Sequence, residues 1–430
     1  MNLARLNHIL IPSTRDGRER IRRSLVGRAA APFWWLYAAL SDEGRTLSVL
    51  MLFIGTAGLS VDTTLIYVLW SALVGLVIAG ICVRPAFHMR GISLDARAPH
   101  RVAVGEAATF ELVLTNSSRA AIHDVRIAGP FLPWDGHWVA RSPSVAVIPQ
   151  GGSARVEARA RFVARGEHQL DIFSAARLVP GGLAVGPSIR SHPVRFLVVP
   201  TIAKLARFDF VPRVGGASGA PQRAVRTGES LELFAVRPYR RGDPIRDLHP
   251  KTWARRGEPH VREYRDAPSL QVGVIVDDDP RTASEDAYEA ALSLAAGVVA
   301  QACRGDARID GVVLGTRFHS LGPRGGGVLE QLLDALATAE RDAATDRVRF
   351  WREREPWLRR LSMVVVISTG SDLRRRELLF ELTRRQHSVR LLRVFDGRSW
   401  FGADAHPRAI GPEESVVTVR AVKSRRAVVL

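Results

Sequence analysis

The 430-residue chain is poor in cysteine and in lysine. Its two cysteines, Cys82 and Cys303, lie far apart and neither belongs to a CxxC pair, which excludes a disulfide framework and a cysteine-based zinc site. The lysines are Lys204, Lys251 and Lys423, so nearly all of the 61 basic residues are arginine. Those arginines alternate with acidic residues along the whole chain. The net charge of +18 therefore indicates an arginine-rich coding composition, and we expect no nucleic-acid binding. A membrane-tethered nucleic-acid binder is the alternative.

Charge is also scarce in residues 46–83, where Asp62 is the sole charged side chain. A single helix of this length would measure about 57 Å, whereas the hydrocarbon core of a bilayer is about 30 Å thick. Two passes, Thr46–Val61 and Thr63–Val83, fit better, with Asp62 in the turn. Arginines flank the pair on both outer sides, so the positive-inside rule places both ends in the cytoplasm. We predict a two-helix hairpin in the cytoplasmic (inner) membrane, preceded by a basic cytoplasmic segment over residues 1–45.

The segment just before this hairpin, Ala31–Leu40, is short, apolar and aromatic. Phe33, Trp34, Trp35 and Tyr37 are typical of the membrane–water interface, where amphipathic rings settle. An ordinary buried helix is the alternative.

Residues 84–200 alternate between apolar and polar side chains in short runs separated by turn residues. This period of two predicts an all-β sandwich of the immunoglobulin-like kind. The clearest predicted strands are Thr109–Leu114, Asp124–Ile127, Ala154–Phe162 and Pro193–Val199.

Residues 269–430 alternate between β-branched runs and helical periodicity, which predicts a parallel sheet with helices on both faces. The first predicted strand, Gln271–Val276, ends in three consecutive aspartates. No glycine-rich phosphate loop follows any predicted strand, so we expect no nucleotide site in this part of the chain.

A linker and a motif rich in special residues occupy residues 201–268. Asp243 followed by Pro244 predicts a helix start, and His249-Pro250 followed by Gly257 predicts a second short helix. We expect this double turn to fix the arginines and the tryptophan relative to one another. The candidate partner-binding or bracing residues are Arg237, Tyr239, Arg240, Arg241, Gly242, Asp243, Arg246, Trp253 and Arg255.

The motif resembles the signature of the bacterial domain-of-unknown-function fifty-eight family. The residues that carry the resemblance run from Arg237-x-Tyr239-x-x-Gly242-Asp243-x-x-Arg246 through Trp253-Ala254-Arg255 to Val261-Arg262-Glu263-Tyr264. The resemblance implies a von Willebrand factor A-like α/β domain. It also implies partners, namely a MoxR-type AAA+ ATPase and other von Willebrand factor A-type membrane proteins. We accordingly expect a membrane-anchored, non-enzymatic adaptor or assembly factor for envelope or other protein complexes.

Domains of the von Willebrand type commonly bind a divalent cation through Asp-x-Ser-x-Ser. Here Asp277 keeps the first position, while Asp279 and Arg281 stand where the serines belong. An arginine cation opposes Mg²⁺ binding, so we expect a degenerate site and no cofactor. The alternative is a metal-dependent enzyme that uses Asp277, Asp279 and His249, although His249 is more simply explained as a capping or core histidine.

Within the motif we expect a division of labour. Arg246 and Arg255 should brace the structure through carboxylates such as Glu232, Asp247 and Glu263. Arg240 and Arg241, beside the Gly242 turn, should remain available to a partner.

Overall fold

The structure, a computed structural model, divides into two compact units, Met1–Val199 and Pro200–Leu430. The residues described are 20, 24–57, 64–140, 142–208, 210, 231–240, 243, 245–266, 270–277, 283–305, 307–315, 317–321, 327–341, 353–369, 382, 388–396, 414–424 and 427–429.

Three helices open the first unit: α1 (Leu25–Ala39), α2 (Asp42–Ala57) and α3 (Thr64–Val83). Within the described residues one helical stretch, Tyr67–Phe87, is long and apolar enough to cross a membrane, judged by length and composition. The turn predicted at Asp62 lies outside the described residues. The pairing of α2 and α3 as two membrane passes therefore stays a prediction.

An all-β domain follows the helices, as the alternating pattern predicted. Its strands are β1 (Ile92–Arg97), β2 (Arg101–Ala103), β3 (Ala107–Asn116), β4 (Ile122–Ala128), β5 (Gly136–Trp138), β6 (Ser144–Ile148), β7 (Ser153–Phe162), β8 (Gly166–Leu170), β9 (Ser174–Arg177), β10 (Ile189–Arg190) and β11 (Val194–Val199).

These strands form three sheets around one apolar core. Two sheets have four strands, in the orders β1-β3-β7-β5 and β10-β9-β4-β6, and the third has the order β2-β11-β8. All pairs are antiparallel except β2 with β11. At the centre, Phe110 is fully buried, and its ring centroid lies 5.4 Å from that of Phe196 and 5.9 Å from that of Phe173. Burying each such side chain contributes about 1.5–3 kcal/mol.

A buried ion pair lies in the same domain. His168 Nε2 is 2.8 Å from Asp135 Oδ2, and His168 Nδ1 is 3.1 Å from the Gly166 carbonyl oxygen. Because a carbonyl and a carboxylate both accept, the ring satisfies both contacts when both nitrogens carry protons. Burial lowers the pKa of His168, but the hydrogen bonds to Asp135 and Gly166 together outweigh it, so that the pKa is raised.

The second unit contains a six-stranded sheet in the order β17-β16-β15-β18-β19-β20, and the alternation of strand and helix patterns predicted a sheet of this kind. Its neighbours pair in parallel except for the edge strand β17, which is antiparallel to β16. The strands are β15 (Gln271–Asp277), β16 (Arg308–Leu314), β17 (Arg317–Ser320), β18 (Met363–Ser368), β19 (Ser388–Phe395) and β20 (Glu414–Thr418).

Helix α5 (Glu285–Arg304) packs against this sheet, and nearly all of its apolar residues are buried. Ser284 caps its first turn by accepting a hydrogen bond from the Ala287 N–H, at 3.2 Å. The described part of this unit also contains α4 (Pro250–Arg256), α6 (Gly327–Ala337), α7 (Glu355–Leu358) and α8 (Val419–Lys423).

Two pairs of strands lie outside the large sheet. Strand β12 (Leu205–Arg207) pairs in parallel with β21 (Val428–Val429), and β13 (Leu231–Pro238) pairs with β14 (His260–Asp266) in an antiparallel hairpin. The hairpin carries the motif that the sequence singled out.

Candidate functional site

The motif is a long loop whose two ends are closed by the β13–β14 hairpin. Past the last strand pair, the Tyr239 N–H donates to the Pro259 carbonyl oxygen at 2.9 Å. Within the loop, the His249 N–H donates to the His260 carbonyl oxygen at 2.8 Å. The loop therefore folds back onto β14 instead of extending into solvent.

A bidentate ion pair fixes the first turn of the loop. Arg237 Nη1 and Nη2 donate to the two carboxylate oxygens of Asp243 at 2.7 and 2.8 Å. The Arg240 N–H adds a third hydrogen bond to Asp243 Oδ2 at 2.9 Å. These bonds, that from Arg237 first, lower the pKa of Asp243 to about 2. The carboxylate thus stays charged, and the turn stays closed, across the physiological pH range.

A short helical turn begins after Asp243 as predicted, but the Asp243 carboxylate binds Arg237 and Arg240. The backbone forms a 3-10 turn over Ile245–Asp247, and the Asp243 carboxylate reaches back to Arg237 and Arg240. An aspartate before proline looks like a helix cap in the sequence, but a guanidinium at a fixed position on β13 binds the carboxylate more strongly than a single N–H does.

The second predicted helix is present as α4, and His249 caps it. The Nδ1 atom of His249 accepts from the Thr252 N–H at 3.3 Å and lies 2.6 Å from Thr252 Oγ1. Gly257 ends the helix at a φ of 73°, in the left-handed region that favours glycine. The interpretation of His249 as a cap is confirmed.

The outer face of the loop presents apolar and cationic side chains together. Ile245 is 77% exposed and Trp253 is 44% exposed. Acidic Glu258 is exposed as well, and so are five basic residues: Arg240, Lys251, Arg255, Arg256 and Arg262. An exposed tryptophan next to arginines is the composition of a protein-binding hot spot, in which Trp and Arg are enriched. We call this set, with Ile245 and Trp253, the hairpin face.

The predicted division of labour among the arginines is only partly testable on the described residues. Arg241 and Gly242 lie outside them, and so does the side chain of Arg246. Arg255 is exposed in the last turn of α4 and has no ion-pair partner within the described part of the chain, so the bracing expected of it is not seen there. The brace is Arg237, a residue whose pairing with Asp243 no sequence pattern indicated.

The predicted cation position lies at the carboxyl end of the large sheet. Asp277 ends β15 and is 5% exposed, and Ser368 at the end of β18 donates to Asp277 Oδ2 at 3.4 Å. The Thr369 N–H donates to the Asp277 carbonyl oxygen at 3.0 Å. Asp279 and Arg281 lie outside the described residues. Across those that are described, no group of three His, Cys, Asp or Glu side chains is placed to hold a metal ion.

Comparison with known proteins gives one family match. Residues 235–400 match the family model described as Protein of unknown function DUF58, a range that includes the motif and most of the large sheet. No curated protein matched the chain.

Several solved structures resemble about a quarter of the chain. A fragment of Escherichia coli alpha-2-macroglobulin, from domain MG7 to its C-terminus, is 17% identical with a TM-score of 0.22, covering 27% of this chain and 18% of that one. The CARDB domain of PF1109 from Pyrococcus furiosus is 12% identical with a TM-score of 0.18, covering 26% and 91%. AvmM, described as catalysing macrocyclization in alchivemycin A biosynthesis, is 14% identical with a TM-score of 0.18, covering 25% and 88%. Since every TM-score is far below 0.5, the fold assignment rests on the strand pairing described above.

Proposed function

Because the chain belongs, through residues 235–400, to the family described as Protein of unknown function DUF58, we propose that it is a membrane-anchored, non-enzymatic adaptor or assembly factor. It acts beside a MoxR-type AAA+ ATPase, with other von Willebrand factor A-type membrane proteins, on envelope or other protein complexes. The α2–α3 pair forms a hairpin in the inner membrane, and the soluble domains lie in the cytoplasm. The all-β domain is immunoglobulin-like.

The hairpin face is the observation that carries this proposal. A binding surface needs exposed aromatic and cationic anchors whose positions are fixed before the partner arrives, because ordering them on binding costs free energy. The Arg237–Asp243 pair and the His249 cap supply that order in the loop that carries Ile245 and Trp253.

We further propose that the α/β domain is von Willebrand factor A-like. The mostly parallel sheet with one antiparallel edge strand supports it, as does the position of Asp277 at the carboxyl end of a buried strand. The domain serves as a scaffold, since His249, the base that a metal-dependent enzyme would need, is engaged as a helix cap.

The test is capture of the ATPase by the full-length protein in nanodiscs, with ATP hydrolysis blocked. Trp253→Ala should weaken binding about tenfold, which corresponds to about 1.4 kcal/mol. Trp134→Ala is the matched control, because Trp134 is 47% exposed but lies in the all-β domain. Equal loss from both variants would remove the hairpin face from the binding site. If the ATPase does not bind at all, and affinity for DNA or RNA falls steeply with salt, the nucleic-acid alternative holds instead.

A further inference from the structure

The second half of α1 exposes a continuous apolar surface. Every residue from 31 to 38 is exposed, with Phe33 at 67%, Trp34 at 54% and Trp35 at 59%. A helix that packs on a core buries one face, whereas here the exposed residues follow one another around the helix. Exposed apolar patches of this kind mark sites of interaction with protein or membrane.

The end of α1 is held firmly by the all-β domain. Ala39 and Leu40 are 0% and 3% exposed. The Val185 N–H donates to the Ala39 carbonyl oxygen at 2.9 Å, and the Ser41 N–H donates to the Leu183 carbonyl oxygen at 3.0 Å. The exposed half of the helix therefore projects from a fixed point.

Two arginines place the aromatic rings at the ends of the apolar helices. Arg45, in the first turn of α2, has its guanidinium carbon 3.9 Å from the Tyr37 ring centroid. Arg84, directly after α3, has its guanidinium carbon 5.5 Å from the Trp35 ring centroid. These arginines mark where charge resumes at the ends of α2 and α3. Tyr37 and Trp35 accordingly lie at the level of the membrane–water boundary if α2 and α3 enter the bilayer.

The apolar stretch is too short to cross the bilayer itself. The run between Arg28 and Asp42 carries no charge, and at 1.5 Å per residue it measures about 20 Å against a hydrocarbon core of about 30 Å. Pro32 also divides α1, since it lacks the N–H that would bond to the Arg28 carbonyl oxygen.

The positive charge of the segment before this helix favours binding to an anionic surface. Residues 1–30 contain seven arginines, one aspartate and one glutamate, and hence a net charge of +5. Basic segments beside a membrane attract anionic lipids.

We propose that residues 31–38 of α1 bind the headgroup region of an anionic phospholipid bilayer and hold the all-β domain at its surface. The proposal rests on the membrane anchoring proposed above. Next to α1, Glu43 in the first turn of α2 accepts hydrogen bonds from both Nη atoms of Arg126 in β4, at 2.6 and 2.9 Å, which also connects α2 to the all-β domain.

Depth measurements on spin labels test this in the full-length protein. Cys82 and Cys303 are first replaced by serine, and single cysteines are then introduced as Phe33→Cys or Trp35→Cys. Leu69→Cys in α3 is the reference for the membrane core, and Val147→Cys in β6 is the reference for water; both positions are exposed, at 56% and 45%. The protein is reconstituted in bilayers of phosphatidylcholine with or without phosphatidylglycerol.

Labels at 33 and 35 should report a depth between the two references when phosphatidylglycerol is present. A depth equal to that at 147 would overturn the proposal, as would a depth equal to that at 69, which would mean that α1 crosses the bilayer. Spin–spin broadening at 33 with a label exposed to water would show that a second copy covers the helix instead. A label at 69 in water would remove the membrane anchor and this proposal together, whereas the other outcomes leave the anchor standing.

The lipid charge provides an independent check. Omitting phosphatidylglycerol should move the labels at 33 and 35 toward water. Arg28→Gln should reproduce part of that shift in the anionic bilayer and have no effect in the neutral one. Depths that are the same in both bilayers would overturn the assignment to anionic lipid.

Discussion

The all-β domain and the β13–β14 hairpin are stabilised in opposite ways. The domain encloses a single core of fully buried aromatic and aliphatic side chains around Phe110. The hairpin has two strands, and in its described part the loop is held by the Arg237–Asp243 pair, the His249 cap and its turns. A two-stranded hairpin alone is marginally stable in water. Under the proposed function, the domain serves as a support, and the hairpin keeps Ile245 and Trp253 exposed for a partner.

The largest expected effect comes from a substitution in the core of the all-β domain. Phe110→Ala removes a ring that three other aromatic rings contact, and should lower the free energy of unfolding of the domain by about 3–5 kcal/mol. Hydrogen exchange of the β3 amides in the detergent-solubilised chain measures it. Val147→Ala, at an exposed position on β6, should change the same quantity by less than about 0.5 kcal/mol. A small effect of Phe110→Ala would mean that the core is not what stabilises this unit.

The next effect depends on pH. Since the pKa of His168 is raised in the folded state, the stability that its charged form contributes is complete below the unfolded pKa and is lost as pH rises through the folded value. The protection factors of the β8 amides, which are exchange rates divided into the intrinsic rate at the same pH, should therefore be higher at pH 6 than at pH 8.5. His168→Gln should cost about 1–3 kcal/mol at the lower pH, because Asp135 is left buried without its partner, and should flatten the pH dependence. An unchanged pH profile in that variant would contradict the assignment.

The ion pair of the hairpin has a different pH window. The pKa of Asp243 is lowered to about 2, so its contribution is present above the unfolded value and is lost only as pH falls toward 2. Arg237→Lys should speed exchange of the Arg240 amide at every pH from 5 to 8, because lysine cannot reproduce two parallel hydrogen bonds.

The control for this variant is Arg159→Lys, which alters an exposed pair with Glu157 and should change nothing measurable. Global melting should stay nearly constant in both. If Arg237→Lys melts the whole second unit, the pair is part of the core and not a local brace.

The smallest expected effects are two near-zero results. Arg255→Lys should leave the melting temperature unchanged, since the side chain is exposed, although the sequence pattern alone predicted a loss.

Isothermal calorimetry should detect no stoichiometric Mg²⁺ or Mn²⁺ binding, because Arg281 stands where the von Willebrand pattern has a serine. Tight binding that Asp277→Ala abolishes would contradict the second expectation.

The sequence predicted the repetitive parts of the fold better than the pairings between distant residues. Alternation located strands such as β7 and β11, and strand–helix periodicity located the parallel sheet, because burial imposes a period on the residues themselves. The His168–Asp135 pair was missed, since it joins β8 to the turn before β5, and only the topology brings those two segments together. One signal existed: the burial of alternate residues in β8 places His168 on the inward face.

In the candidate site, too, the sequence predicted local features but not the pairing of residues that the fold brings together. Helix α4 was predicted because capping by His249 and termination by Gly257 are local events. The Arg237–Asp243 pair was not, because its geometry depends on where β13 ends relative to the turn. Whether an arginine braces or stays exposed is likewise a property of its surroundings, so the bracing role expected of Arg255 stays a prediction: the side chains of Glu232 and Glu263 lie outside the described residues.

Site-specific photocrosslinking in native membranes tests whether the hairpin face binds the ATPase. A photoreactive amino acid replaces Ile245, which is 77% exposed on the hairpin face, or Val147, which is 45% exposed on the all-β domain. With ATP hydrolysis blocked, we expect position 245 to crosslink to the MoxR-type ATPase and position 147 not to. Crosslinking of the ATPase from 147 alone, or with equal yield from both positions, would contradict it.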